Sequence, residues 1–417
     1  MSVRKIIAIG VIYLIACAGW SILGTVTALR SNQLFNRLGT QIESLWGRQL
    51  VQKAPAFSVQ IPGSKRVRLI MPSKNRIRVD LAPDYRKKGL IWYSTYICSF
   101  DGRYSVNNTE AVTQKIRFHF DFPAEGATYE NFAISKNDIF LIVPVNTRQG
   151  IDEIIELAPG QKVEFRIKYK TRGIFTWRYQ MDKKIGRVQN LNLLVKTGFH
   201  NIDYTEGSLS PMAVDSSEDG MLLNWEAADL ITNDDIGIVV PEKINPGPLT
   251  SRITYFAPVC LIFFFILIAT IHIMYQIDIH PMHYLFVAAG FFAFHLLLSY
   301  LVGLVNLHLS FIVSAAISVG LVTGYLAAAL GKKFPWKMAI AGQFFFLVLF
   351  SYSFFIKGIT GLTVAIGSVI TLGVLMKVTA RVDWNAVFTK HRSTLDSAEG
   401  IDLSSVVSPA PDSPPPL

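Results

Sequence analysis

Cysteine is scarce in this chain, with three in 417 residues: Cys17, Cys98 and Cys260. Cys17 and Cys260 fall inside long apolar runs, which leaves Cys98 alone in the polar middle of the sequence. No disulfide can staple that middle region, so its stability has to come from a packed core. Charge is also sparse, at 17% of residues against 51% hydrophobic, too low for an ordinary soluble protein. Missing too are H-E-x-x-H, G-x-S-x-G, a Walker glycine loop and C-x-x-C. With no nucleophile, base or metal cluster at recognisable spacing, the expectation is a protein that is not an enzyme and holds no cofactor.

The apolar residues lie at the two ends. Residues 6–29, IIAIGVIYLIACAGWSILGTVTAL, carry no charge over 24 positions, enough to cross a hydrocarbon core of roughly 30 Å at about 1.5 Å per residue. Five further spans follow at about 254–276, 284–304, 309–330, 336–356 and 359–379. The small residues Gly320, Gly324 and Ala328 fall on one helical face of the fourth span, as in helices that approach one another closely. Arg4 and Lys5 precede the first span, Lys332, Lys333 and Lys337 separate the fourth from the fifth, and Arg381, Lys390 and Arg392 follow the last. Only Lys357 occupies a short loop on the other side. Positive charge at span ends resists translocation, so both termini are expected in the cytoplasm and the middle region outside it. Leu14-Ile15-Ala16-Cys17 resembles a lipobox and would place a lipid on Cys17, but the sequence stays apolar to Leu29. An uncleaved anchor is the expectation.

The fold class that follows is a multi-domain membrane protein. An N-terminal transmembrane anchor helix occupies residues 1–30. Leu34, Leu38, Ile42, Leu45 and Trp46 recur at helical spacing, extending it as an amphipathic stalk over 31–54 that Ala54-Pro55 would end. Residues 55–250 read as a β-rich, sandwich-like extracytoplasmic domain, either one unit or two joined near 145–160. A five-helix transmembrane bundle takes 251–380, and a disordered cytoplasmic tail 381–417. Within the β-rich part, KRVRLIM and RIRVDL flank Pro72-Ser73-Lys74-Asn75 and predict a hairpin, and DIFLIVPV predicts a strand. In KIRFHFDF strict alternation turns Ile116, Phe118, Phe120 and Phe122 inward and leaves His119 on the surface.

Charge gives the one candidate surface. Residues 30–252 hold 30 basic and 24 acidic side chains, a modest excess suited to anionic lipid or an acidic polymer. Lys65, Arg66, Arg68, Arg76 and Arg78, followed by Arg86, Lys87 and Lys88, would form a basic hairpin face for anionic-surface contact, unless they serve only as a solvated face that discourages strand pairing. The acidic turns Asp215–Gly220 and Asn233–Asp235 lack the spacing of a calcium loop. In the membrane, His295 is the ionisable group near mid-bilayer, either a polar contact for transport or an imidazole bonded to a neighbouring helix. His280 and His283, with Asp278 and His272, fall short of a metal set, and Pro281 suits the first turn of a helix.

The stretch HPMHYLFVAAGFFAFHLLLSYL, through His280, Pro281, Met282 and Tyr284, resembles the CreD family of bacterial inner-membrane proteins, in which H-P-M-x-Y-L opens a helix of the C-terminal bundle. Leu45–Gln49 with Ala54-Pro55, GFHNIDYTEGSLSP, and Arg381–Trp384 are similar to other family segments. The resemblance implies an envelope protein linked in some members to envelope or β-lactam stress, and it brings no reaction or substrate. The expected partners are membrane lipids, with envelope proteins or cell-wall polymer. Nucleic acid is not expected, and the sequence does not indicate an oligomeric state. The alternative reading is a transporter or lipid-handling protein that works through the bundle.

Overall fold

The computed structural model describes residues 3–61, 63, 66–89, 91–331, 334–356, 358 and 360–380. Lys65, the loop lysines 332, 333 and 357, and the predicted tail over 381–417 lie outside the described residues. The chain forms two compact units, residues 30–246 and residues 1–29 with 247 onward.

Helix α1 (Val3–Trp46) is one uninterrupted element of 44 residues. It has no internal proline, and the i, i+4 series Leu34, Leu38, Ile42 continues its apolar stripe beyond Leu29. The predicted stalk end at Ala54-Pro55 is incorrect, because the helix stops at Gly47. That residue has φ +139°, and a Cβ there would lie 2.3 Å from the Arg172 carbonyl oxygen, so only glycine fits the turn. Strand β1 (Arg48–Lys53) begins at once and pairs in parallel with β12.

The strands after β1 are β2 (Ala56–Gln60), β3 (Val67–Ile70), β4 (Lys74–Pro83), β5 (Arg86–Lys88), β6 (Ile91–Tyr93), β7 (Thr95–Asn107), β8 (Gln114–Phe120) and β9 (Tyr129–Lys136). They continue as β10 (Ile139–Phe140), β11 (Ile151–Leu157), β12 (Lys162–Gln180), β13 (Arg187–Thr197), β14 (Asp203–Tyr204), β15 (Ala213–Ser217), β16 (Gly220–Ile231) and β17 (Ile236–Val239). The main sheet runs β10-β9-β12-β7-β4-β13-β16-β15, with β1 and β17 attached along β12 and β14 paired to β17. A second sheet runs β11-β8-β2-β3, and β5 and β6 form a separate hairpin. The two sheets pack face to face, with the Phe118 ring of β8 stacked on Phe165 of β12 at 4.2 Å and Phe57 against both. Ile116, Phe118 and Phe120 are buried as the alternation predicts.

Three expectations fail here. KRVRLIM and RIRVDL do not form a hairpin: β3 pairs with β2 in the small sheet, whereas β4 lies between β7 and β13 in the large one. Pro72 and Ser73 carry the chain from one sheet to the other. The chain does not divide near 145–160 either, since β11 pairs with β8 across that point. In DIFLIVPV only Ile139 and Phe140 form strand, at the edge beyond the Asn137-Asp138 turn (φ 50° and 61°). With no further strand to pair against, the residues after Phe140 leave the sheet.

In the helical unit, α2 (Pro246–Tyr275), α3 (Pro281–Leu301) and α4 (Leu307–Leu330) are each long and apolar enough to cross a membrane. So is the composite helix that begins with α5 (Trp336–Gln343), passes through a π-helical stretch at Phe344–Leu349 and α6 (Phe350–Tyr352), and ends in a 3₁₀ turn, Ser353–Phe355. The last helix, α7 (Thr360–Thr379), is also apolar. Gly320 and Gly324 do not meet another helix among the described residues: nothing there lies within 4 Å of a Cβ at either. Helix α4 instead buries Ser310, Ser314, Ser318, Val322 and Leu326. Serine hydroxyls facing lipid would lack partners, so that stripe turns inward and the glycines outward.

Candidate anion-binding face and intramembrane polar core

The basic residues expected on one hairpin occupy three places. Arg68, on β3, is held by Glu110 at 2.9 Å. Arg66 precedes the same strand. Arg86, Lys87 and Lys88 form β5, where Arg86 pairs with Asp84 at 2.7 Å. Arg76 and Arg78 stand on the solvent face of β4, because Ile77, Val79 and Leu81 fill the core face of that strand.

The register of the large sheet then adds cations that the sequence did not group with them. One row across four adjacent strands reads Arg166, Arg103, Arg76, Asn192. The next reads Lys168, Asp101, Arg78, Leu194, and the third Lys170, Ser99, Asp80, Lys196. These three rows therefore hold seven cations and two acids, with Glu164 of β12 on the same face in the row beside them. Strands in a sheet lie about 4.8 Å apart, and directly opposed like charges destabilise it. Three arginines in one row is thus an arrangement that fold stability disfavours. A hollow of about 500 Å³ opens on this face, lined by Arg78, Asp80, Asp101, Lys168, Lys170 and Lys196.

Part of the charge is spoken for. Arg166 makes two hydrogen bonds to Asp101, at 2.9 and 2.7 Å, and Lys168 reaches the same carboxylate at 3.6 Å. Burial alone would raise the Asp101 pKa, but Arg166 with Lys168 and Arg103 outweighs it and holds the carboxyl below its ordinary value. Arg103 reaches Glu164 at 3.9 Å. Among the described residues, Arg76, Arg78, Lys170 and Lys196 make no ion pair.

The other candidates resolve locally. His119 lies between Asp152 (3.0 Å) and Asp121 (3.2 Å) on the surface of β8. Asp235, in the second acidic turn, is buried and faces Arg178 at 3.5 Å and Lys183 at 3.6 Å, two cations where a calcium site would need oxygens. His280 caps α3, its Nδ1 accepting from the Met282 N–H at 3.3 Å, and Pro281 occupies the first turn as expected. Tyr284 is buried against Phe265, Met282 is exposed, and His283 contacts the Tyr325 hydroxyl at 2.8 Å. Among the described residues no group of three His, Cys, Asp or Glu side chains is placed to hold a metal ion.

His295 is fully buried in the helical unit. A backbone carbonyl only accepts, so the 2.9 Å contact with Phe291 O puts a proton on Nδ1 and leaves Nε2 of the neutral ring as an acceptor without a partner. The Trp20 ring lies 5.6 Å away, edge-on, with its own N–H unpartnered. Ser318 donates to Gly290 O at 2.7 Å and accepts from Gln343 at 3.2 Å. That bond and the Phe294–Phe311 contact set α3 against α4, so Ser314, one turn from Ser318, comes level with His295. Gln343, which the sequence reading overlooked, directly precedes the π-helical stretch, a distortion frequent at functional sites.

Among solved structures, a putative nutrient binding protein from Legionella pneumophila aligns at 12% identity over 51% of this chain and 75% of its own, with a TM-score of 0.32. An M1 zinc metallopeptidase from Deinococcus radiodurans aligns at 10% identity over 41% of this chain and 42% of its own, with a TM-score of 0.25. Likenesses this slight carry no functional argument. No curated protein matches the chain. Residues 216–385 match the family model described as inner membrane protein CreD, and over that span the chain is similar to this family of inner-membrane proteins.

Proposed function

We propose that this envelope membrane protein is non-enzymatic and acts in envelope integrity or stress adaptation by binding an acidic envelope component on its β domain. In this reading both termini face the cytoplasm and the β domain lies outside the inner membrane. The observation that carries it is the row Arg166, Arg103, Arg76 with Arg78, Lys170 and Lys196 beside it, of which Arg76, Arg78, Lys170 and Lys196 make no ion pair among the described residues. A sheet that keeps like charges in register gains stability when an anion lies across them. An acidic cell-wall polymer or an anionic protein segment fits the hollow, each charged repeat meeting one row.

The test is binding of an acidic polymer such as polyglutamate to the full-length protein, with Arg76, Arg78, Lys170 and Lys196 changed to Gln. Binding at low salt should weaken at least tenfold and lose most of its salt dependence, since fewer cations then meet the polymer. Undiminished binding would remove the basic face from the reading.

A second reading, transport or lipid handling through the helical unit, is favoured by the buried His295, Ser318 and Gln343, since polar groups in hydrocarbon are costly unless used. It expects His295→Ala to abolish activity in cells while the protein accumulates normally in the membrane. Full complementation by that variant would count against it.

A further inference from the structure

The β5–β6 hairpin, Arg86–Tyr93, stands apart from both sheets and packs on the outer part of α1. Ile42, Ile91, Tyr93 and Ile174 make a small core there, with Phe35, Leu38, Trp46 and Phe175 around it. The Tyr93 hydroxyl donates to Phe35 O at 2.9 Å. From the other end of the β domain, Asn245 accepts from the Trp92 N–H at 2.8 Å and donates to Trp92 O at 3.2 Å. Phe35 is six residues, about 9 Å of helix, beyond the end of the uncharged run at Leu29, and Asn245 directly precedes α2. This hairpin therefore lies a short chain path from either apolar helix.

Its side chains are those that bilayer interfaces favour. The Lys243 ammonium lies 4.3 Å from the Trp92 ring centroid and 4.7 Å from that of Tyr85. Lys87 lies 5.7 Å from Trp92. Arg86 sits 4.2 Å over Trp46, but Asp84 already neutralises it. An aromatic face holds a cation in place without cancelling its charge, so Lys87 and Lys243 stay available to an anion. Among the described residues these two and Lys88 make no ion pair, and Glu242 is the neighbouring acid.

We propose that Lys87 and Lys243, set around Trp92 and Tyr85, bind the phosphate headgroup of an anionic phospholipid. The aromatic rings sit at headgroup depth and the two ammonium groups meet the phosphate. This surface shares no residue with the basic sheet face, so the two proposals stand or fall separately.

Native mass spectrometry of the full-length protein, titrated with phosphatidylglycerol and with phosphatidylcholine of the same acyl chains, tests it. The wild type should prefer phosphatidylglycerol. Changing Lys87 and Lys243 together to Glu should weaken that binding at least tenfold, each cation near an anionic surface contributing about fivefold. Changing the same two to Arg should preserve it, and Arg76→Gln with Arg78→Gln should leave it unchanged. The proposal is overturned if the Glu variant keeps phosphatidylglycerol affinity within twofold, or if it loses both lipids equally.

Discussion

Asp101 illustrates how a single residue can serve two ends in opposition. Its carboxylate takes Arg166 and Lys168, and this pairing keeps its pKa below the ordinary value. A carboxyl depressed on folding contributes stability above about pH 4, its unfolded pKa, and loses it as pH falls through the folded value. Asp101→Asn should therefore destabilise the β domain by about 1 kcal/mol at pH 7, a difference that narrows in urea denaturation as the pH is lowered below about 4. The same change removes an acid from the middle of the basic face, so polyanion binding should rise as stability drops. A merely structural Asp101 would lower both. The alternation that exposes Arg76 and Arg78 was legible in the sequence, because period two fixes which face a side chain takes. Their partners Arg103, Arg166, Lys170 and Lys196 were not, since only strand order brings them together and no local signal specifies it.

Among the elements, β1 was the largest omission. The apolar stripe of α1 suggested a stalk running on to Ala54-Pro55, and RQLVQK is too short to announce a strand against it. Tertiary pairing decided the matter: β1 lies parallel to β12, buries Leu50, and places Gln52 where the Tyr169 hydroxyl donates to its side chain at 2.6 Å. A fragment of residues 55–245 should consequently melt about 10 °C below one of residues 47–245. Burying a leucine contributes about 2 kcal/mol, the lost ladder adds more, and each kcal/mol moves the midpoint by about 2–4 °C in a domain this size. Equal midpoints by calorimetry would show β1 to be dispensable. The helix start at Pro281 was readable from the sequence because proline at that position acts locally. The inward turn of the α4 serines was missed because a glycine spacing names a face without saying which neighbour, if any, covers it.

For the molecule as a whole, composition separated an apolar helical part from a polar β-rich part, and the two compact units follow that division. Composition could not say how the β domain is joined at its base. Tyr93 bonds to Phe35 and its neighbour Trp92 to Asn245, so the strand that receives the incoming chain also receives the outgoing one. The β domain is thus an insertion with adjacent ends. A short flexible linker from Phe35 to Asn245 would close the gap, leaving the helices an unbroken membrane protein onto which a different domain could be grafted.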